Sequence, residues 1–310
     1  MAVVRKAKKR RLLLGLLVTL SIVLILLLGW MAAEANWVRF IRVDVPLRNL
    51  PASFDGTTIL FVADLHIDNF NTPEKTLRLM DQLSAAKPDI LLLGGDYVSQ
   101  EPEALPARIA SLWTRPEIVN SELKLERRER FFRGISDFPA QLLRAGVPGN
   151  HDLALPGLDE CMRRNNIVPL INTSIRINRG DDSIVLAGLD DWKDGERDIA
   201  AVAKDVTPED CVILLSHSPD ALPVAVNTPS NGGAGWVDLF LCAHTHGGQI
   251  RLFGHRGLAE SSVYGNRYLT GLRIENGVIA LTCNGVGTTG VPLRFFATPQ
   301  VYLITLRCVS

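Results

Sequence analysis

Five apolar runs in this chain end alike, in short polar turns that carry Asp, Asn or His, most of them beside Gly, Pro or Ser. Thr57 to Ala63 runs into Asp64-Leu65-His66, and Asp89 to Leu93 runs into Gly94-Gly95-Asp96. Leu142 to Val147 leads to Pro148-Gly149-Asn150-His151-Asp152, and Cys211 to Leu215 leads to Ser216-His217-Ser218-Pro219. Val237 to Leu241 leads, through Cys242 and Ala243, to His244-Thr245-His246-Gly247-Gly248-Gln249. Residues i and i+2 of an extended segment point the same way, so His244 and His246 can face one site just past a strand end. The glycines let the backbone turn sharply and come close to a ligand. Taken singly, a His-x-His pair reads as two polar turn residues. Five repeats of one grammar, holding five of the six histidines, argue for side chains that converge.

The intervening sequence supports an α/β domain. Thr72-Pro73-Glu74 opens a helix, with Thr72 as cap and Pro73 at the first position. Leu77, Leu79, Met80 and Leu83 give that helix an apolar face. Strand, helix and strand in succession imply a parallel pair, and ligands in such sheets collect at the carboxyl ends of strands. Val38, Phe40, Ile41 and Val43 predict a first edge strand, and Leu158 to Arg164 a short helix. Ile167 to Ile171, Ser174 to Asn178 and Ser183 to Leu189 are predicted strands of a second sheet, with a turn at Arg179-Gly180-Asp181. Gly277 to Leu281 and Val301 to Thr305 are closing strands. Residues 100–139 hold Trp113, Phe131 and Phe132 among dense charge, Lys124 to Arg133. They read either as a solvated helix pair packed on the sheet or as a cap over substrate or lipid headgroups.

The polar set at the strand ends is Asp64, His66, Asp96, Asn150, His151, His217, His244 and His246. Carboxylate, imidazole and amide oxygen together suit Mn, Fe, Zn or Ni; Ca prefers oxygen throughout. The set exceeds what one ion uses, and two ions sharing a carboxylate would account for it. Paired ions about 3.5–4 Å apart are a known solution for phosphoryl chemistry. They lower the pKa of a bound water, so hydroxide is available near neutral pH. A histidine left unliganded would be the proton donor to the leaving group.

The N-terminus carries a different signal. Arg5, Lys6, Lys8, Lys9, Arg10 and Arg11 precede Leu12 to Trp30, a stretch without charge. Its length is close to the roughly 20 residues of a spanning helix. A cleaved signal peptide is the competing reading, with Ala33-Glu34-Ala35 as the small-residue site. The apolar run is long for a signal core, which favours an uncleaved anchor. The basic flank stays cytoplasmic by the positive-inside rule, which puts the rest of the chain on the outer face. This divides the chain into a flank 1–11, an anchor 12–31, a linker and edge strand 32–56, and a domain 57–310 with 100–139 as a candidate cap. Net charge is +0, so nucleic-acid binding is not expected. Cys161, Cys211, Cys242, Cys283 and Cys308 form no Cys-x-x-Cys pair, and their odd number suits small buried hydrophobes better than a disulfide framework.

Asp64-x-His66, Gly95-Asp96, Gly149-Asn150-His151-Asp152, His217 and His244-x-His246 stand in the order and spacing of the calcineurin-like metallophosphoesterases. The resemblance runs from Thr57 to the C-terminus and is closest to a membrane-associated bacterial branch. That branch is similar in its His-Thr-His-Gly-Gly-Gln segment, here His244 to Gln249. It is similar too in a late stretch, here Asn284-Gly285-Val286-Gly287 through Pro292-Leu293-Arg294-Phe295. The resemblance implies an α/β four-layer sandwich, two mixed β-sheets flanked by helices. It implies that Asp64, His66 and His246 hold one metal, that Asn150, His217 and His244 hold the other, and that Asp96 bridges both. His151 would be the unliganded general acid or charge stabiliser. Mn is the implied ion, with Fe and Zn as alternatives, and the inner (cytoplasmic) membrane the implied location. Some similar membrane-bound enzymes hydrolyse UDP-2,3-diacylglucosamine in lipid A synthesis, which makes that lipid the leading substrate expectation. The lipid is met on the cytoplasmic side, whereas the basic flank predicts an external domain. Soluble phosphodiesters, or a non-catalytic metal site, are the rival readings. The protein serine/threonine phosphatases continue Gly-Asp-x-Val with Asp-Arg, where this chain has Ser99-Gln100. The acid that orients the catalytic histidine there is absent here. Arg294 is a candidate phosphate clamp or a structural salt bridge, and His255 a candidate substrate contact or an exposed loop residue.

Overall fold

Apolar residues face both ways along the central strands, and the fold buries both faces. The computed structural model describes residues 2–102, 104–110, 121–233, 235–252, 256–257 and 262–309. The strands are β1 (Arg39–Leu47), β2 (Thr58–Val62), β3 (Ile90–Leu93), β4 (Leu143–Gly146), β5 (Val168–Pro169), β6 (Thr173–Arg179) and β7 (Asp182–Gly188). They continue as β8 (Val212–Leu215), β9 (Leu239–Cys242), β10 (Arg251–Leu252), β11 (Arg256–Gly257), β12 (Gly271–Glu275), β13 (Val278–Thr282) and β14 (Gln300–Cys308). The helices are α1 (Ala2–Glu34), α2 (Pro73–Ser84), α3 (Leu105–Ala110), α4 (Ser121–Gly134), α5 (Leu158–Arg164), α6 (Ile199–Ala203) and α7 (Leu222–Ala225).

Two six-stranded mixed sheets result, in the orders β1-β14-β2-β3-β4-β5 and β12-β13-β9-β8-β7-β6. In the first, β2, β3, β4 and β5 run parallel, and β14 is antiparallel to β2. In the second, β7, β8, β9 and β13 run parallel, with β6 and β12 antiparallel at the edges. Alternation sorts each strand between layers. Ile59 and Phe61 of β2 meet Ile213 and Leu215 of β8 in the core between the sheets. Leu60 and Val62 point outward to Met80 of α2, Phe131 and Phe132 of α4, and Met162 of α5. Val212 and Leu214 pack against Val202 of α6 and Leu222 of α7. The order helix, sheet, sheet, helix is the predicted four-layer sandwich.

Three details differ from the sequence reading. Ile167 to Ile171 yields only the two-residue β5, and it extends the first sheet, pairing Val168 with Ala145 and Pro169 with Gly146. Proline lacks an N–H for a further ladder, so it suits this edge position. The charged run in α4 is not a solvated face, because Lys124, Arg127 and Arg128 are buried. Arg128 donates to the carbonyls of Leu155 (3.1 Å) and Pro156 (2.5 Å), and Arg127 donates to Asn69 Oδ1 at 2.7 Å. Phe131 and Phe132 pack on Tyr97, which makes α4 part of the helical layer. Residues 111–120, with Trp113, lie outside the described residues.

The third detail concerns α1. Lys8–Glu34 is long and apolar enough to cross a membrane, and none of its most apolar window is buried in the protein. Where the sequence reads as linker, the helix continues to Glu34 and keys into the domain. Glu34 is buried, and its carboxylate accepts from Phe296 N (3.1 Å), Ala297 N (2.9 Å) and Thr298 Oγ1 (3.2 Å). Arg294 N donates to the Met31 carbonyl at 3.1 Å.

Candidate metal centre

Every predicted segment lies at the C-terminal end of its strand: Asp64 and His66 past β2, Asp96 past β3, Asn150 and His151 past β4, His217 past β8, His244 and His246 past β9. Parallel neighbours bring β2, β3 and β4 together in one sheet and β8 and β9 together in the other. The two sets of strand ends meet at the rim of the sandwich. Asp64, His66, Asp96, His244 and His246 all have left-handed backbones, with φ of 49°, 43°, 55°, 69° and 51°. Such residues cost about 1–3 kcal/mol each and persist only where their surroundings fix them. Cross-loop bonds do the fixing, with Asp64 N donating to Gly95 O and His66 N to Asp96 O, both at 3.0 Å. Glycine is required where loops touch: a Cβ on Gly95 would sit 2.6 Å from Gly149 N.

The donor atoms form three groups, Asp64-His66-His246, His66-Asp96-His151 and Asp96-His217-His244, each within 4.8 Å. His66 Nε2 lies 3.0 Å from His246 Nε2, and His244 Nδ1 lies 3.1 Å from His217 Nε2. Asp96 Oδ2 lies 3.3 Å from His66 Nε2 and 3.2 Å from His217 Nε2, so this one oxygen stands between the two imidazole pairs. Two ligands bound about 2.0–2.1 Å from one tetrahedral ion sit roughly 3.3 Å from each other. The observed spacings match that geometry. Asn150 Oδ1 is buried and has no hydrogen-bond partner among the described residues, as expected of an atom built to meet a cation. The donor set fits two divalent ions.

Burial and mutual charge perturb these groups strongly. Burial, opposed by His217, raises the Asp64 pKa to about 6. Burial also works against the charge of Asp96, yet His217 and His151 hold it well below the usual range. Burial depresses His217, but Asp96 and Asp64 outweigh it and lift it to about 10. Its Nδ1–H donates to Gly94 O at 2.8 Å, which leaves Nε2 facing the carboxylates. His246 is driven well below 6.5 by burial, with His66 and Arg294 adding to the effect.

His151 is held differently. Its Nδ1 accepts from the Gln100 backbone N–H at 3.1 Å, so the neutral ring carries its proton on Nε2. The Gln100 side chain also donates to the His151 carbonyl at 2.8 Å. The orienting acid missing from the sequence is thus replaced in part by a backbone donor. A backbone N–H leaves no mark in a sequence, and only the Gln100 amide was there to be noticed. Asp152 accepts from Gly149 N (2.9 Å), Asp96 N (2.7 Å) and Tyr97 N (3.0 Å), pinning two loops at once.

Arg294 is fully buried, with its guanidinium spent on the carbonyls of His246 (3.2 Å), Ala297 (2.8 Å), Asn284 (2.9 Å) and Gly287 (2.6 Å). The expected phosphate clamp gives way to a structural brace, since no donor face is left toward solvent and its partners are carbonyls and the His246 Nδ1 at 3.3 Å, with no acid among them. His255 lies outside the described residues. The brace links α1 to the site: Glu34 fixes residues 296–298, and Arg294 joins Met31 to His246. Glu34→Ala is expected to cost about 1–3 kcal/mol for each donor left without a partner. It should lower the melting temperature and weaken metal binding roughly 10-fold, an outer-partner effect. Calorimetric metal titration of the full chain checks this; unaltered metal affinity would uncouple α1 from the site.

A family model described as calcineurin-like phosphoesterase matches residues 57–248. The chain is 25% identical over 265 residues to the uncharacterized metallophosphoesterase YkuE of Bacillus subtilis, covering 84% of this chain and 82% of that protein. It is 28% identical over 287 residues to the phosphodiesterase YaeI of Escherichia coli, covering 88% of this chain and 90% of that one. A transmembrane protein with a metallophosphoesterase domain from Danio rerio is 23% identical over 283 residues, which cover 87% of this chain and 57% of that longer protein.

Proposed function

This chain belongs to the calcineurin-like phosphoesterase family and is a metal-dependent phosphohydrolase, and on that premise we propose that it is a membrane-tethered phosphodiesterase working through a two-metal centre. The observation that carries the reading is the place of Asp96, whose carboxylate belongs to two of the three donor groups. Asp64, His66 and His246 would hold one ion, Asn150, His217 and His244 the other, and Asp96 both. Such ions, when bound, supply Lewis acidity and lower the pKa of a water to give a nucleophile near neutral pH. His151 donates Nε2–H to the phosphoryl or leaving-group oxygen. The Gln100 N–H keeps that proton on the correct nitrogen. Burial pushes the His151 pKa down to about 3 against the pull of Asp96, so the resting ring is neutral. The Nε2–H hydrogen bond strengthens as negative charge develops on the oxygen that accepts it.

A diester substrate is supported by the phosphodiesterase name of the Escherichia coli relative. Mn is the first ion to try, then Fe and Zn. The anchor supports a substrate at a membrane surface, and UDP-2,3-diacylglucosamine is the lipid-linked candidate that the family resemblance raises. Purified full-length protein, given Mn, Zn, Fe or Mg, is to be assayed on bis-p-nitrophenyl phosphate, p-nitrophenyl phosphate and that lipid. Metal-dependent turnover, abolished by chelator and faster on the diester than the monoester, is expected. No turnover with any pairing would sink the reading. A C-terminal topology reporter that places the domain outside the cytoplasm would remove the nucleotide-lipid as substrate.

A further inference from the structure

Leu12 to Trp30, at about 1.5 Å per residue, spans close to the ~30 Å of a bilayer's hydrocarbon core. Trp30 and Trp37 are 56% and 64% exposed and mark the aromatic belt of the interface. The residues between them therefore stand at headgroup depth. There Ala35 and Asn36 form one wall of a cleft of about 330 Å³, and α2 forms the other with Lys75, Arg78 and Leu79. The cleft continues into a second of about 240 Å³ under Ala32, sharing Asn71, Lys75 and Val286. Val286 N donates to Ala63 O at 3.1 Å, so the floor of the cleft is the back of the Asp64 turn and not the metal centre itself.

The two cations in this cleft have no acid to themselves. Lys75 is half-buried, and its ammonium donates to Asn36 Oδ1 at 2.6 Å. Two nearby acids are committed elsewhere, Asp68 to Arg108 and Glu74 to Arg130. Among the described residues neither Lys75 nor Arg78 forms an ion pair. Burial depresses the Lys75 pKa against the pull of Asp68, a penalty that a seated anion would relieve.

We propose that this cleft binds the headgroup of an anionic phospholipid, with Lys75 and Arg78 meeting the phosphate, Asn36 and Asn71 the glycerol oxygens, and the acyl chains lying along α1. The proposal rests on the reading of α1 as a membrane anchor. With Glu34 already keyed into the domain, a bound headgroup fixes the attitude of the metal centre to the bilayer surface.

The test uses the full chain in nanodiscs of mixed phosphatidylcholine and phosphatidylglycerol, with retained lipids counted by native mass spectrometry. Wild type should retain phosphatidylglycerol preferentially. Lys75→Ala and Arg78→Ala should each weaken retention about fivefold, as expected for one cation at an anionic surface, with turnover of bis-p-nitrophenyl phosphate in detergent unchanged as the check on folding. Millimolar inorganic phosphate should not displace the lipid; displacement would make this a free-phosphate site and overturn the proposal. Incorporation into nanodiscs with equal retention by wild type and variants would also overturn it, leaving the anchor intact. Failure of the full chain to incorporate would overturn the anchor reading, and this site with it.

Discussion

Asp96→Asn should strip both metals and end turnover while leaving the fold standing. The substitution keeps the side chain's shape, and Oδ1 can still accept from His151 N at 2.8 Å. It replaces the shared Oδ2 with an amide that points protons at His66 Nε2 and His217 Nε2, which now lie 3.3 Å and 3.2 Å from that oxygen. Those protons occupy the lone pairs that the cations need, and the bridging charge is gone. Each metal then loses more than the roughly 10–100-fold in affinity that removal of an outer partner costs. Without metals the variant should melt below wild type, because Asp96 is the partner that holds the buried His217 charged and removing one member of a buried pair is destabilising. Wild type at 100 times its metal dissociation constant gains about 2.7 kcal/mol per site, and the variant should lose that gain. Melting curves with and without Mn, alongside metal content by mass spectrometry, check both halves. Two equivalents bound at wild-type affinity would remove Asp96 from the bridging position.

Much of this centre could be read from the chain because apolar runs stop where the chemistry starts. A strand buried on both faces must be apolar throughout, so the first polar residue after it is visible by contrast, as at Val62 to Asp64 or Leu215 to His217. What escaped the sequence is what depends on partners far away in the chain. Nothing in Asp64 or His246 announces a left-handed backbone, which the facing loops impose. Ile167 to Ile171 has strand composition for either sheet, and only its pairing with β4 decides. The charged run Lys124 to Arg133 reads as solvated, yet Arg127 and Arg128 are buried, because a guanidinium can spend its donors on carbonyls and amides while its stem packs. Glu34 shows the same limit most plainly. Ala33-Glu34-Ala35 resembles a cleavage site by residue size, but its carboxylate meets donors more than 260 residues away.

His151→Ala should separate chemistry from metal binding. His151 shares a 4.8 Å group with His66 and Asp96 and meets the His66 ring edge-on at 4.7 Å between centroids, but its Nδ1 is secured from behind by Gln100. Removing it takes away the Nε2–H and leaves the other donors in place, so two metals should still bind with near wild-type affinity. Turnover should fall by about 10²–10⁴, the range for a positioned proton donor, with kcat carrying the loss and KM changing little. His151→Gln, which restores an N–H at similar reach, should recover part of it. Gln100→Ala supplies the control, since the backbone N–H that sets the tautomer survives, while the side chain's 2.8 Å bond to the His151 carbonyl and its 3.5 Å contact with Lys124 Nζ are lost. It should therefore cost far less than His151→Ala. A diester with a p-nitrophenol leaving group needs little proton donation, whereas one with an alkyl leaving group needs it fully. The His151→Ala defect should widen on the alkyl ester if the Nε2–H hydrogen bond stabilises charge on the leaving oxygen. A defect equal on both would place its hydrogen bond on the phosphoryl oxygens instead, and turnover equal to wild type would strip His151 of any part in the reaction.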